Sequence, residues 1–319
     1  MQELVQHVEH VYSSAHKTSA AASSPIVASW RRCMTMHRLA PEEKRAPVRL
    51  TEQEFLEAKD LSSRLIAEAR DELDRLFTTV GKAGCCLLLT DRNGIALERR
   101  GSRGDDADFS TLGLWTGSVW TEASMGTNGI GTAIADERAV TIHRDQHFFA
   151  SNIALSCTTA PIRDHRGQLA AALDISTCRE DVNDMTMSIL SQAVRDSAQR
   201  IELNLFRSAF PGARFLMVPT ASSASTALLA VDRDDLVLGA TRAARIALKL
   251  DDGKIAAGIP ASDALREERS PPSGDLEEAE RAALRRALSR CNGNVSQAAI
   301  ALGMSRATLH RKMKKLNVH

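Results

Sequence analysis

Charge of one sign is what this 319-residue chain lacks: 41 Lys and Arg stand against 40 Asp and Glu, a formal net charge of +1. No bulk field draws it onto nucleic acid or a membrane, so any such affinity has to come from local clustering. No apolar run approaches the ~18–20 residues needed to cross a bilayer. The opening, Met1 to His10, has neither the basic start nor the apolar stretch of a secretory signal. None of the six cysteines (Cys33, Cys85, Cys86, Cys157, Cys178 and Cys291) forms a Cys-x-x-Cys pair, and a disulfide framework is not expected at this size. A reduced, cytoplasmic protein with no membrane contact is the expectation. Hydrophobic residues at 43% and charged residues at 25% are ordinary globular composition, and the length suits two or three domains.

The grammar of the chain changes several times. Ser24-Pro25-Ile26 reads as a helix start, and a helix carrying Trp30 is expected from Ile26 to Leu39, before Pro41 and Pro47. Thr51 with Glu54 is a capping-box pattern. Apolar residues from Phe55 to Phe77, Leu56 and Leu61 among them, then predict one helix of about seven turns. From Gly84 the pattern is β. Cys85 to Thr90 and Ile95 to Glu98 flank Asp91-Arg92-Asn93-Gly94, whose Asn-Gly suits a tight turn. Ala139 to Ile142 is a further strand. Ser156 to Arg163 and Gln168 to Ser176 flank a second turn, and Glu180 to Phe210 is a long helix with Met185 and Ile189 on its apolar face. Helix, antiparallel sheet, helix is an α+β pattern. A smaller echo follows Pro211-Gly212: Leu228 to Val231, a turn, Leu236 to Leu238, and a helix from Thr241 to Leu250. It resembles the opening of a PAS domain but spans only about half of one. Arg266 to Gly274 has linker composition.

The last 45 residues carry the sharpest signal. A helix is expected from Asp275, ended by Cys291-Asn292-Gly293-Asn294. A short helix from Val295 to Leu302 follows, then a turn at Gly303 and a helix from Arg306 to Leu316 capped by Ser305. Two short helices joined at a glycine are a helix-turn-helix signature. Ala298 and Ala299 are small where helices approach; Ile300, Leu302, Met304, Leu309, Met313 and Leu316 are the expected core. From Gly293 to His319 there is no Asp or Glu. A neutral chain has concentrated its positive charge at one end, as phosphate binding requires. This stretch closely resembles the Fis-type helix-turn-helix. The resemblance implies a domain that dimerises through its first helices and a recognition helix in the major groove. Ser305, Arg306, Thr308, His310 and Arg311 are then the groove-facing candidates, with Lys312, Lys314 and Lys315 beside them. Double-stranded DNA and a second copy of the chain are the implied partners.

The other distinctive stretch runs from Trp120 to Ala133: Trp-Thr-Glu-Ala-Ser-Met-Gly-Thr-Asn-Gly-Ile-Gly-Thr-Ala. It is a Gly-rich loop delivering the chain into a helix that Thr127 or Asn128 caps. It is not a phosphate loop, since no Gly-Lys-Ser/Thr follows, and its glycines lack dinucleotide-fold spacing. With His147-Phe148, Cys157-Thr158-Thr159-Ala160-Pro161-Ile162 and Asp174-Ile175-Ser176, it is similar to the sensory region of the acetoin-catabolism regulators. That resemblance implies a GAF fold with flanking helices over residues 51–210 and a response to a small metabolite. Trp120, Glu122, Asn128, His147 and Cys157 are the candidate ligand-lining residues. Each has an ordinary role open to it: Trp120 as core, Asn128 as a cap, Cys157 as a small buried hydrophobe. His143, His147 and Cys157 match no metal spacing, so neither a metal nor another cofactor is expected.

Relatives in that family place an AAA+ ATPase between the sensory part and the helix-turn-helix. Here no Gly-x-x-x-x-Gly-Lys-Ser/Thr occurs and little more than the linker intervenes. The expectation is an α+β chain divided as 1–50 (helical), 51–210 (sensory), 211–265 (PAS-like remnant), 266–274 (linker) and 275–319 (all-α, DNA-binding). It is read as a nucleoid-associated, non-enzymatic regulator without ATPase activity, acting alone, through RNA polymerase, or beside a full-length related regulator.

Overall fold

Asp91, Asp164 and Asp232 begin the three turns that organise the β-structure. The Oδ1 of Asp91 accepts from the backbone N–H groups of Asn93 and Ile95, both at 2.9 Å. Asp164 does the same for Arg166 and Gln168, and Asp232 for Asp234 and Leu236. Only Gly94 of the Asn-Gly pair takes positive φ. The first hairpin is therefore a longer, Asp-anchored turn with a bulge between Leu89 and Thr90, not the two-residue turn that Asn-Gly suggests. Gly167 repeats Gly94, whereas the third turn uses Asp235 at φ +65°.

The computed structural model describes residues 2–16, 24–220, 226–265, 275–291 and 293–318. The expected linker at 266–274 lies outside them. Two units divide at residues 265 and 266.

In the first unit, strands β1 (Cys85–Asp91), β2 (Ala96–Arg100), β3 (Val140–His143), β4 (Ser156–Arg163) and β5 (Leu169–Thr177) form one antiparallel sheet in the order β2-β1-β5-β4-β3. Alternation divides its residues between two faces. Leu87, Leu89, Ile162, Leu173 and Ile175 point to one face and pack on helices α3 (Glu52–Leu61), α4 (Ser63–Val80) and α8 (Asp184–Ala209). Cys86, Leu88, Cys157 and Ala172 point to the other. There Phe109 of α5 (Asp106–Thr111), Met125 of α6 (Glu122–Met125) and Ile130 of α7 (Gly129–Asp136) cover them, with Leu114 and Trp120 between.

Several helical expectations shift. The helical stretch expected over 1–50 holds two helices, α1 (Gln2–His16) and α2 (Pro25–Thr35). The seven-turn helix breaks at Ser62. The break turns Leu56 and Leu61 out of the stripe; Leu61 is 89% exposed. In α8, Asn183 caps the helix through Thr186 N. Its buried stripe runs Met187, Leu190, Val194, Ile201, so Met185 and Ile189 face solvent. A second sheet, β6 (Arg214–Met217), β7 (Leu228–Val231) and β8 (Val237–Ala240), closes its own small core with α9 (Arg242–Leu248), α10 (Asp252–Ala256) and α11 (Ala261–Ala264).

The second unit holds helices α12 (Asp275–Arg290), α13 (Val295–Ala301) and α14 (Arg306–Lys315). Leu284, Leu288, Ala298, Ala299, Leu309 and Leu316 are buried together. Ile300 is not among them; it is 80% exposed. In a seven-residue helix Ala298 and Ala299 already fill the inner arc, and the next position turns outward.

Gly131 shows how tightly α7 is seated. A Cβ there would lie 2.6 Å from Glu122 N and 2.7 Å from the carbonyl carbon of Thr121. Backbone cannot swing aside as a side-chain tip can. Gly131→Ala is expected to cost about 1–3 kcal/mol of unfolding free energy, read as a lower urea midpoint; an unchanged midpoint would show that α7 can lift off.

Candidate functional site

The Gly-rich loop is built from caps. Thr121 Oγ1 accepts from Ser124 N at 3.1 Å to start α6, and Asn128 Oδ1 accepts from Gly131 N at 2.8 Å to start α7. The other amide atom of Asn128 donates to Gly126 O at 2.8 Å. Both ends of its side chain therefore serve the backbone. Trp120 is buried, its Nε1–H donating to Gly113 O at 2.9 Å. Glu122 is buried too, and faces the N-terminal helix. Its carboxylate accepts from Arg32 Nε at 2.8 Å and Nη2 at 2.7 Å, and from Ser29 Oγ at 2.5 Å. Arg32 also pairs with Asp136 at 2.9 Å. Glu122 thus straps α2 across the loop.

His147 and Cys157 do meet. His147 Nδ1 lies 2.9 Å from Arg144 O, which assigns the ring proton to Nδ1 and leaves Nε2 as an acceptor. Cys157 Sγ is 3.5 Å from that Nε2. Ser176 Oγ lies 3.1 Å from the sulfur and 2.5 Å from Asp174 Oδ2; Thr159 Oγ1 donates to Asp174 Oδ1 at 2.5 Å. The single hydroxyl proton of Ser176 goes to the carboxylate, the stronger acceptor. Gly129 makes room for this cluster: a Cβ there would fall 2.4 Å from Thr159 Oγ1 and 2.9 Å from Asp174 Oδ1.

Burial sets the protonation states. It lowers His147 from 6.5 to about 4 and raises the Cys157 thiol well above its ordinary value. At neutral pH the pair is an imidazole and a thiol, not an ion pair. Burial likewise raises Asp174 from 3.8 to about 6, and no cation pairs with it among the described residues. Arg99 sits on the same row of the sheet, opposite Leu88, which is opposite Asp174. Two strand spacings, roughly 9–10 Å, separate them. Arg99 pairs with Asp106 at 2.7 Å and stacks 4.2 Å from the Trp115 ring centre. Asp174, Ser176, Thr159 and Arg99 were not among the sequence candidates. The signal was present in β5, where Asp174 and Ser176 interrupt an apolar strand at every second position. No cluster able to hold a metal ion occurs among the described residues.

The basic end is equally concrete. Asn294 caps α13 and Ser305 caps α14, whose Thr308 N donates to Ser305 Oγ at 3.1 Å. Gly293 and Gly303 take φ of +78° and +65° at the two turns. Leu309, Met313 and Leu316 turn inward, so Ala307, Arg311 and Lys314 lie on the opposite side of α14. Arg306, His310, Arg311 and Lys314 are exposed. Lys312 is pulled toward α12 by an ion pair with Glu280, and Lys315 pairs with Glu277 at 2.7 Å. Thr308 is spent partly on the cap, its hydroxyl 2.9 Å from that of Ser305. Ala307 is also exposed on that side.

Residues 64–201 match the GAF domain, and residues 275–316 match the bacterial regulatory proteins of the Fis family. The chain carries a GAF domain and a Fis-type helix-turn-helix. Its homologues are transcriptional regulators. The acetoin catabolism regulatory protein of Cupriavidus necator is 32% identical over 205 residues, 61% of this chain and 31% of that protein. The acetoin dehydrogenase operon transcriptional activator AcoR of Bacillus subtilis is 28% identical over 47% of this chain and 25% of its own length. The propane 2-monooxygenase operon transcriptional activator MimR of Mycolicibacterium smegmatis is 25% identical over 54% of this chain and 28% of its own. The matched stretch thus spans a third or less of each of these relatives. Among solved structures, the E. coli DhaR(N)-DhaL complex aligns with TM-score 0.51 and 18% identity over 71% of this chain and 76% of that one, a likeness of fold.

Asp174 gives a pH-dependent test. Its raised value means that its contribution to stability is full below about pH 3.8 and is lost as pH rises through about 6. Asp174→Asn is therefore expected to stabilise the chain at neutral pH, by roughly 3 kcal/mol at most, and to do little at pH about 4, where the wild-type carboxyl already holds its proton. Thermal unfolding of both proteins at the two pH values checks this; equal gains at both would refute the assigned protonation.

Proposed function

We propose that this chain is a sequence-specific DNA-binding transcription regulator whose α14 reads the major groove and whose GAF domain responds to a small metabolite. The observation that carries the reading is α14 itself: a capped, acid-free, solvent-facing helix on a closed three-helix core. In this reading Arg306, Arg311 and Lys314 make the phosphate and base-edge contacts, with His310 and Ala307 between them. Ser305 and Thr308 set the helix entry. Lys312 and Lys315 approach DNA only by giving up Glu280 and Glu277. Two copies bind as a homodimer, their heads about one DNA turn, ~34 Å, apart. No ATP-driven step is assigned, because the sequence holds no phosphate loop and only residues 266–274 lie between the small module and α12.

The polar row of the sheet supports the metabolite part. A buried carboxylate without a cation costs stability, and the Arg99–Asp106 pair lies on the same face of the sheet. Groups kept at such a cost suit a ligand that hydrogen-bonds to them. An accessory role beside a longer related regulator, or contact with RNA polymerase, is the second reading. It is supported by the short span matched in the relatives and by a fold neighbour whose structure is of a two-protein complex.

Gel-shift titration against the chain's own upstream DNA tests the first reading. Arg311→Ala is expected to lose about 1–3 kcal/mol of affinity for the specific site, a ten- to hundredfold weaker Kd. Lys314→Ala is expected to weaken all sequences alike and to lower the salt slope by about one. Specific binding by the purified chain alone would count against an obligatory accessory role; no specific shift at moderate salt would reject direct operator recognition. For the metabolite, neutral alcohols, aldehydes and ketones are screened by thermal shift. A genuine ligand at a hundred times its Kd adds about 2.7 kcal/mol, and Asp174→Asn is expected to abolish that gain.

A further inference from the structure

Away from the polar row, the first unit has an open cavity of about 470 Å³. It lies where the GAF domain, through β4 and α8, faces Thr226 and α9 of the small module. Its floor is apolar: Ala160, Pro161 and Phe206 from the GAF side, Ala243 and Ile246 from α9. The exposure of Ile246, a large aliphatic side chain two-thirds open to solvent, is otherwise unexplained. A cavity of this size falls within the ~300–1,000 Å³ of small-molecule sites.

The charged groups on its wall differ in how far they are satisfied. Arg163 is spent, pairing with Glu137 at 2.8 Å and donating to Gly167 O and Glu137 O. Arg138 pairs with Asp136. Arg195 of α8 and Arg242 of α9 make no ion pair among the described residues, although both line the cavity. Each comes from a different module. Glu202 lines the cavity too. Its Oε1 accepts from Arg163 N at 2.7 Å. Burial raises this carboxyl to about 7.

We infer that this junction cavity binds a small organic carboxylate with an apolar body and a hydroxyl group. The carboxylate is held between Arg195 and Arg242, the body lies on Phe206, Pro161 and Ile246, and the hydroxyl donates to Glu202. A guanidinium group gains charge-assisted hydrogen bonds from a carboxylate, and two of them line this one cavity. Because one comes from the GAF domain and the other from the small module, the ligand draws the two together. This goes beyond the regulator reading and is measured without DNA, so either can fail alone.

Calorimetry on the full chain tests it, with phenyllactate as the probe. Phenylpropanediol supplies the neutral counterpart, phenylpropanoate lacks the hydroxyl, and inorganic phosphate lacks the apolar body. Phenyllactate is expected to bind and to raise Tm; the diol and phosphate are not. Arg195→Ala and Arg242→Ala, both at exposed positions that leave the core intact, are each expected to weaken phenyllactate at least tenfold, about 1.4 kcal/mol. Glu202→Gln is expected to weaken phenyllactate but not phenylpropanoate. No phenyllactate binding, binding as tight in both arginine variants as in the wild type, or phosphate binding of equal strength would each overturn the assignment.

Discussion

The carboxylate of Glu122 is the point on which the first unit turns. A buried carboxylate costs least when its charge is answered, and Arg32 and Ser29 answer it from a helix 90 residues away in sequence. The consequence runs both ways. Helix α2 is held against the GAF domain, and the loop holding Glu122 is fixed at the start of α6. With α6 fixed, Gly131 sets how closely α7 packs behind it, and Gly129 sets how closely α7 sits on the sheet. Removing one partner leaves the other charge buried and alone, which costs far more than a surface pair. The strap therefore defines what lies above the polar row of the sheet.

That row is chemically specific. Asp174, Ser176, Thr159, Cys157 and His147 form one row of polar contacts in the buried interior; with the Ser176 proton on Asp174, the single thiol proton serves either His147 Nε2 or Ser176 Oγ. Its thiol is a thiol and its imidazole is neutral, so the cluster offers hydrogen-bond donors and acceptors more than a charged nucleophile. The second unit uses the same physics in the opposite sense. There the charges are exposed, and their number, not their burial, gives the surface its character. Ion pairs to Glu277 and Glu280 draw Lys312 and Lys315 toward α12, leaving a narrower basic face than the sequence count implies.

Much of this was legible before any coordinates. Asp91, Asp164 and Asp232 announce their turns because a short carboxylate reaches its own downstream backbone whatever the tertiary context. Asn128 and Ser305 cap helices for the same local reason. The five strands of the GAF sheet, the glycine turn of the helix-turn-helix and its two alanines could all be read from pattern. What failed was whatever depends on distant packing. Met185, Ile189 and Ile300 are apolar yet face solvent, since the stripe that a helix buries is chosen by its neighbour and not by its own composition. Strand β6 is recognised only beside β7. Among the site candidates, Glu122 and Asn128 proved to be tied into the scaffold, while the unpaired carboxylate of Asp174 stood two positions from a serine that the motif reading had noted without weighing.

The opposed perturbations of His147 and Asp174 have a joint effect. Between about pH 4 and 6 the folded chain withholds a proton from the histidine that the unfolded chain would bind, and keeps one on the aspartate that the unfolded chain would release. The two exchanges oppose one another. Souring of the surroundings therefore moves this pair's share of the folding free energy less than it would move that of either group alone, and a variant lacking one partner exposes the proton demand of the other.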